Sequence, residues 1–200
     1  MFDINESLNN WLEKLEKFNF IDYQKLPDIE LYMDQILTII QRQISVYNYS
    51  SFDKLLTSSM VNNYVKGNVI PAPISKKYNR EHLALLEEVC TLKQVLSIAE
   101  VKQIIDSTYK LGTNNEQAFN DFQEKCTTAN HKATDFTKDK LTDVPNNDTN
   151  KLNELALELS LIANSYISIA KRILYFTKHY DNMLEEQKDK KKKKEDKEEE

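Results

Sequence analysis

Only two glycines stand in a chain of 200 residues, and that scarcity constrains the fold more than any other feature. A sandwich or barrel needs a turn roughly every 8–12 residues, and turns draw on glycine, proline and asparagine. Four prolines do not make up the shortage. Apolar residues instead recur at spacings of three and four, the repeat of a helix with one buried face. The expected class is all-α. The length suffices for one good domain or two small ones with a real core.

Residue content excludes several function classes. Cys90 and Cys126 stand far apart, with no Cys-x-x-Cys and no His pair nearby, so they read as reduced, core-facing thiols. His131 and His179 lack partners at metal-binding spacing; neither metal nor cofactor is expected. There is no glycine-rich phosphate loop, no Gly-x-Ser-x-Gly and no His-Glu-x-x-His, so catalysis is not expected. His82 reads as a partly exposed residue near a helix start. The opening Met1-Phe2-Asp3-Ile4-Asn5-Glu6 lacks the basic region of a signal peptide. No apolar run approaches the roughly 18–20 residues of a membrane span. The expectation is a cytoplasmic protein without membrane contact.

Along the chain, residues 1–27 hold one amphipathic helix over 6–18, with Leu8, Trp11, Leu12, Leu15 and Phe18 on its inner face and Asn5 as cap. A second domain is expected over 28–110. It opens with a helix capped by Asp28, with Ile29, Met33, Ile36, Leu37, Ile40 and Ile44 inward. A Ser/Tyr/Asn-rich loop and a short helical turn over 51–56 follow. Thr57 can cap a helix from Ser58 to Lys66 that stops at Gly67-Asn68. Val69 to Ile74 contains Pro71 and Pro73 and must run extended. Asn79 or a neighbour starts a helix of about 14 residues, and Ser97 with Glu100 forms a capping box for another, through Ile105. Past a boundary at Gly112-Thr113-Asn114, residues 111–185 form a helical bundle region. Phe119, Phe122, Cys126 and Ala129 mark one helix, and periodicity is lost over 134–150. A long coiled-coil-like helix then runs from Lys151 to Glu185. Its stripe is Leu152, Leu155, Leu159, Ile162, Tyr166, Ile169, Ile173, Phe176, Tyr180 and Met183. Residues 186–200 carry seven Lys against seven acids and read as a disordered charged tail.

The net charge of −5 argues against a nucleic-acid partner until its distribution is considered. From Lys54 to Arg80 there is no Asp or Glu, while Lys54, Lys66, Lys76, Lys77 and Arg80 are basic. Within this stretch the 58–66 helix places Met60, Val61, Tyr64 and Val65 on one side. Ser58, Ser59, Asn62, Asn63 and Lys66 fall on the other. Short hydrogen-bonding side chains suit base edges, and asparagine can donate to and accept from adenine in the major groove. Ser58, Ser59, Asn62 and Asn63 are therefore the expected base-reading residues. Lys54, Lys66, Lys76, Lys77, Tyr78 and Arg80 are the expected phosphate contacts.

The run Leu56-Thr57-Ser58-Ser59-Met60-Val61-Asn62-Asn63-Tyr64-Val65-Lys66-Gly67-Asn68-Val69-Ile70-Pro71-Ala72-Pro73 resembles the recognition helix and following strand of MerR-type regulators. Lys77 to Leu83 resembles the exit of that family's wing, and Leu92 to Val101 its junction between a long helix and the next. The resemblance implies a MerR-like winged helix-turn-helix head. It departs at Asn62, where the family has Arg, at Asn63, where it has an aromatic, and at a wing over 73–78 too short for an Arg-rich hairpin. More closely, Leu26 to Ile105 resembles a family of bacterial proteins known by a domain-of-unknown-function label. Its members carry a run near Leu-Pro-Asp-Ile-Glu-Leu-Tyr-Met-Asp-Gln and then Met-x-Asn-Asn-Tyr-x-Lys. The expected function is a sequence-specific, double-stranded-DNA-binding transcriptional regulator, homodimeric through its C-terminal helices. The alternative is a helical protein-interaction module that keeps the fold without binding DNA. Whether the aromatics Tyr166, Tyr175, Phe176 and Tyr180 hold a small effector is open at this level.

Overall fold

The computed structural model describes residues 2–48, 55–109 and 114–198, without the side chains of 185 and 188–198. Among the described residues there are seven α-helices and no strand: α1 (Ile4–Glu16), α2 (Met33–Gln43), α3 (Ser58–Lys66), α4 (Arg80–Leu92), α5 (Ile98–Thr108), α6 (Asn115–Leu141) and α7 (Thr149–Glu198). The all-α expectation holds. The expected short turn over 51–56 and the Gly112-Thr113 boundary fall largely outside the described residues. The chain divides into two compact units, Met1–Leu159 and Ser160–Glu200, so the break lies inside α7.

In the first unit α4 is the central element. Every residue from His82 to Cys90 is buried, because α2, α6 and the turn Ile44–Tyr47 all pack on it. Ile36 and Ile40 of α2 and Ile44 of the turn after it are fully buried, as are Leu83, Leu86 and Val89 of α4 and Phe119 of α6. α1 lies along α6, and Leu12, Leu141 and Leu155 close a satellite core with Leu8, Leu152 and Leu159. Asp3 caps α1 by accepting from the Glu6 N–H, two residues before the expected Asn5, and Trp11 is left half-exposed.

Three local expectations need correction. The helix expected from Asp28 begins only at Met33, because the Leu31 N–H and C=O both bond Tyr78, at 2.8 Å each. Residues 28–31 are held out of the helix by that bridge, and Ile29 is exposed. His82 is buried rather than partly exposed, because it belongs to the α4 cap: its N–H donates to Asn79 Oδ1 and its Nδ1 accepts from the Asn79 N–H. Burial holds its imidazole below the usual pKa. Finally, α6 continues to Leu141. Its inner face there is Thr134, Thr137 and Leu141, all buried. The two threonine hydroxyls are satisfied by donating to the carbonyls of His131 and Ala133.

In the second unit, α7 runs on to Glu198, through a segment whose charge pattern reads as tail. Lysine and glutamate are good helix formers, and helical spacing interleaves the two signs.

Candidate nucleic-acid interface

Thr57 starts α3 as the sequence requires. Its Oγ1 accepts from the Met60 N–H at 3.3 Å, satisfying one of the orphan donors at a helix N-terminus. Val61 and Tyr64 are buried and fasten the helix to the core, and burial pushes the Tyr64 phenol up to about 12. At the far end the Gly67 N–H bonds Asn63 O, and the Val69 N–H reaches back to Tyr64 O. Asn68 takes a left-handed conformation, φ 51°, which asparagine tolerates better than most residues. Val69 and Ile70 then enter the core, fixing the direction of the chain after the helix. Pinned on one side in this way, α3 turns Ser58, Ser59, Asn62, Asn63 and Lys66 to solvent. The face carries five polar side chains and no acid.

Beyond Pro73 the chain makes a tight reversal. The Lys77 N–H donates to Ile74 O at 2.9 Å, and Ser75 and Lys76 both have positive φ, 52° and 64°. Two successive left-handed residues make a type I′ hairpin turn. Its tip exposes Ile74, Ser75 and Lys76.

The expected phosphate contacts separate into groups. Lys66 and Lys76 are exposed, and neither forms an ion pair among the described residues. Lys77 is bound to Glu30 at 2.7 Å, which raises its pKa. Arg80 lies 3.7 Å from Asp28, donates from Nε to Leu26 O and stands over the Tyr23 ring. Tyr78 is 3% exposed, so its ring serves the core instead of the surface. Lys54 lies outside the described residues. The stretch 54–80 is acid-free in sequence but not in space: Asp28 and Glu30, far away along the chain, sit against its C-terminal end. No local signal marks them. The Leu31–Tyr78 pairing, with the Arg80–Leu26 hydrogen bond, brings them there.

Other titratable groups lie inside. Glu87 and Glu88 of α4 are 0% and 2% exposed. Glu88 accepts from the Tyr109 hydroxyl at 2.5 Å, while neither carboxylate oxygen of Glu87 has a hydrogen-bond partner among the described residues. Burial pushes Glu87 up to about 8 and Glu88 up to about 7. Burial also pushes the Cys90 thiol up to about 12, which makes it an inert core residue. No group of three His, Cys, Asp or Glu among the described residues could hold a metal ion. No described helix is long and apolar enough to cross a membrane.

Fold and surface together define an all-helical protein presenting one short helix with an acid-free polar face. The chain belongs to the family described as Domain of unknown function (DUF1836), whose model matches residues 21–126, more than half of the chain. That span takes in α2 to α5, the whole candidate interface and the start of α6. No curated protein and no solved structure matches the chain.

Proposed function

We propose that this protein is a sequence-specific DNA-binding transcriptional regulator of the cytoplasm, acting as a homodimer. In this reading residues 28–110 act as a MerR-like winged helix-turn-helix head, α3 enters the major groove, and the Ile74–Lys77 turn serves as a short wing. One observation carries the proposal: the core-anchored α3 turns Ser58, Ser59, Asn62 and Asn63 outward with Lys66 and no carboxylate. A surface that meets phosphate is favoured by the lack of acids, whereas a protein-binding surface gains nothing from it.

The ion pairs Lys77–Glu30 and Arg80–Asp28 favour the other reading, a protein-interaction module, because they neutralise two of the cations. The two readings separate on salt dependence. With Lys66 and Lys76 as the available cations, log affinity should fall with log salt at a slope of about −1.8 per head. Fluorescence anisotropy with duplex DNA between about 50 and 200 mM salt measures this. Asn62→Ala and Asn63→Ala should cost about 1–3 kcal/mol on the preferred duplex and little on others. Lys76→Ala should weaken binding to all duplexes alike. Folded protein with no salt-sensitive binding would exclude the DNA reading. Equal losses for all three variants on every duplex would exclude α3 as the base reader.

A further inference from the structure

In the second unit, Tyr166, Ile169, Ile173, Phe176, Tyr180 and Met183 follow one another at alternating steps of three and four and are between 43% and 70% exposed. Earlier on the same helix and in the same register, Leu152, Leu155 and Leu159 are closed against Leu12 and Leu141. A contiguous apolar stripe of this size on a folded protein marks an association surface.

We propose that this stripe is the seam of an antiparallel homodimer of α7, with its two-fold axis between Leu174 and Tyr175. The inference rests on the homodimer reading above and adds its direction and register. Two copies related by that axis set Tyr166 against Met183, Ile169 against Tyr180 and Ile173 against Phe176. Every aromatic meets an aliphatic side chain, so the layers are of similar volume. A parallel pair would stack each residue on itself, with Tyr166 on Tyr166 and Tyr180 on Tyr180, giving layers of unequal volume.

Registers shifted toward the N-terminus fail for separate reasons. Shifting the axis toward the N-terminus by half a heptad sets Arg172 against its own copy. Shifting it by a full heptad requires Leu155 and Leu159, which are already used inside the chain. In the chosen register Ala170 faces Thr177 and Ala163 faces Leu184 along one flank, where small residues let the helices approach. Ser165 faces Glu186 and Arg172 faces His179 along the other, and no acid faces an acid. Covering the six stripe residues on both copies would bury on the order of 1,200 Å², within the range of a stable interface. Leu161 and Tyr175 stand on the neighbouring face, outside this seam.

Light scattering on the full chain at micromolar concentration should give twice the 23.5 kDa chain mass. Ile173→Lys with Phe176→Lys should return it to the monomer with α-helical content largely kept. Direction is read by paired spin labels in a Cys126→Ser background, placed at Asn164→Cys or at Lys178→Cys. In the antiparallel dimer the two Asn164 labels are offset along the axis by about 32 Å and the two Lys178 labels by about 10 Å. In a parallel dimer both offsets vanish and the two distances agree. Equal distances would overturn the register and leave the homodimer standing. A monomer would overturn both, and a monomer that co-sediments with anionic phospholipid vesicles would assign the stripe to a lipid surface.

Discussion

Glu87→Gln should leave the protein within about 1 kcal/mol of the parent at pH 5 and more stable by on the order of 4 kcal/mol at pH 8. Glu87 is 0% exposed, and neither of its oxygens accepts a hydrogen bond from the described residues. Its ionised form is therefore costly in place, and its pKa stands at about 8 in the folded chain against an ordinary 4.5. Between those values the folded chain keeps a proton that the unfolded chain has released. Stability from this group is full below pH 4.5, falls as pH rises toward 8, and levels off above. Glutamine cannot ionise, so this slope disappears in the variant. Glu88, pushed up by burial to about 7 although the Tyr109 hydroxyl donates to it, leaves a second slope ending near pH 7. Between pH 7 and pH 8 the parent should lose clearly more stability than the variant. Urea midpoints across this range decide it; a variant that tracked the parent at every pH would mean that Glu87 is ionised and paired.

Phe119→Ala should cost about 3–5 kcal/mol, a large share of the roughly 5–15 kcal/mol that holds a domain folded. Phe119 is 0% exposed, and the Phe20 and Tyr23 rings lie 6.4 Å and 5.9 Å from it, centroid to centroid. Phe20 in turn meets Phe18 and Phe122. Truncation opens a cavity where α6 meets the α1–α2 connection that carries Phe20 and Tyr23. Phe119→Leu, which keeps most of the volume, should cost clearly less. The check is a denaturation midpoint that falls while the slope of the transition is kept. A loss under about 1 kcal/mol would show that the aromatic cluster is dispensable and that the core lies elsewhere.

Elements bounded by local chemistry were legible from the sequence. Thr57 and Gly67 bracket α3, Asn79 starts α4, Ser97 with Glu100 starts α5, and the two prolines keep 69–74 out of any helix. Each of these signals acts within four residues of the place it marks. The failures have one distant cause and one local one. Leu31 pairs with Tyr78 across the chain, and that pairing removes residues 28–31 from a helix that Pro27-Asp28 would otherwise start. The end of α6 escaped because its inner face is threonine, whose hydroxyls bond back to the helix and so enter a core that polarity alone would deny them.

The interface was legible in the same partial way. The outward face of α3 follows from helical periodicity alone. The state of the cations does not, because Glu30 and Asp28 reach Lys77 and Arg80 through contacts between distant parts of the chain, Leu31 with Tyr78 and Arg80 with Leu26. Tyr78, polar at its tip, lies in the core because its backbone is committed to that same contact. The acid-free surface is thus smaller than the stretch 54–80, and rests on α3 and the Ser75-Lys76 tip.

The most direct test of that surface is an amide chemical-shift map of the nitrogen-labelled chain titrated with duplex DNA at about 50 mM salt. The expected result is a contiguous set of shifts over Ser58–Lys66 and Ile74–Lys77, with α1 and the C-terminal half of α6 unmoved. Saturating DNA that leaves Ser58–Lys66 unshifted would contradict the account.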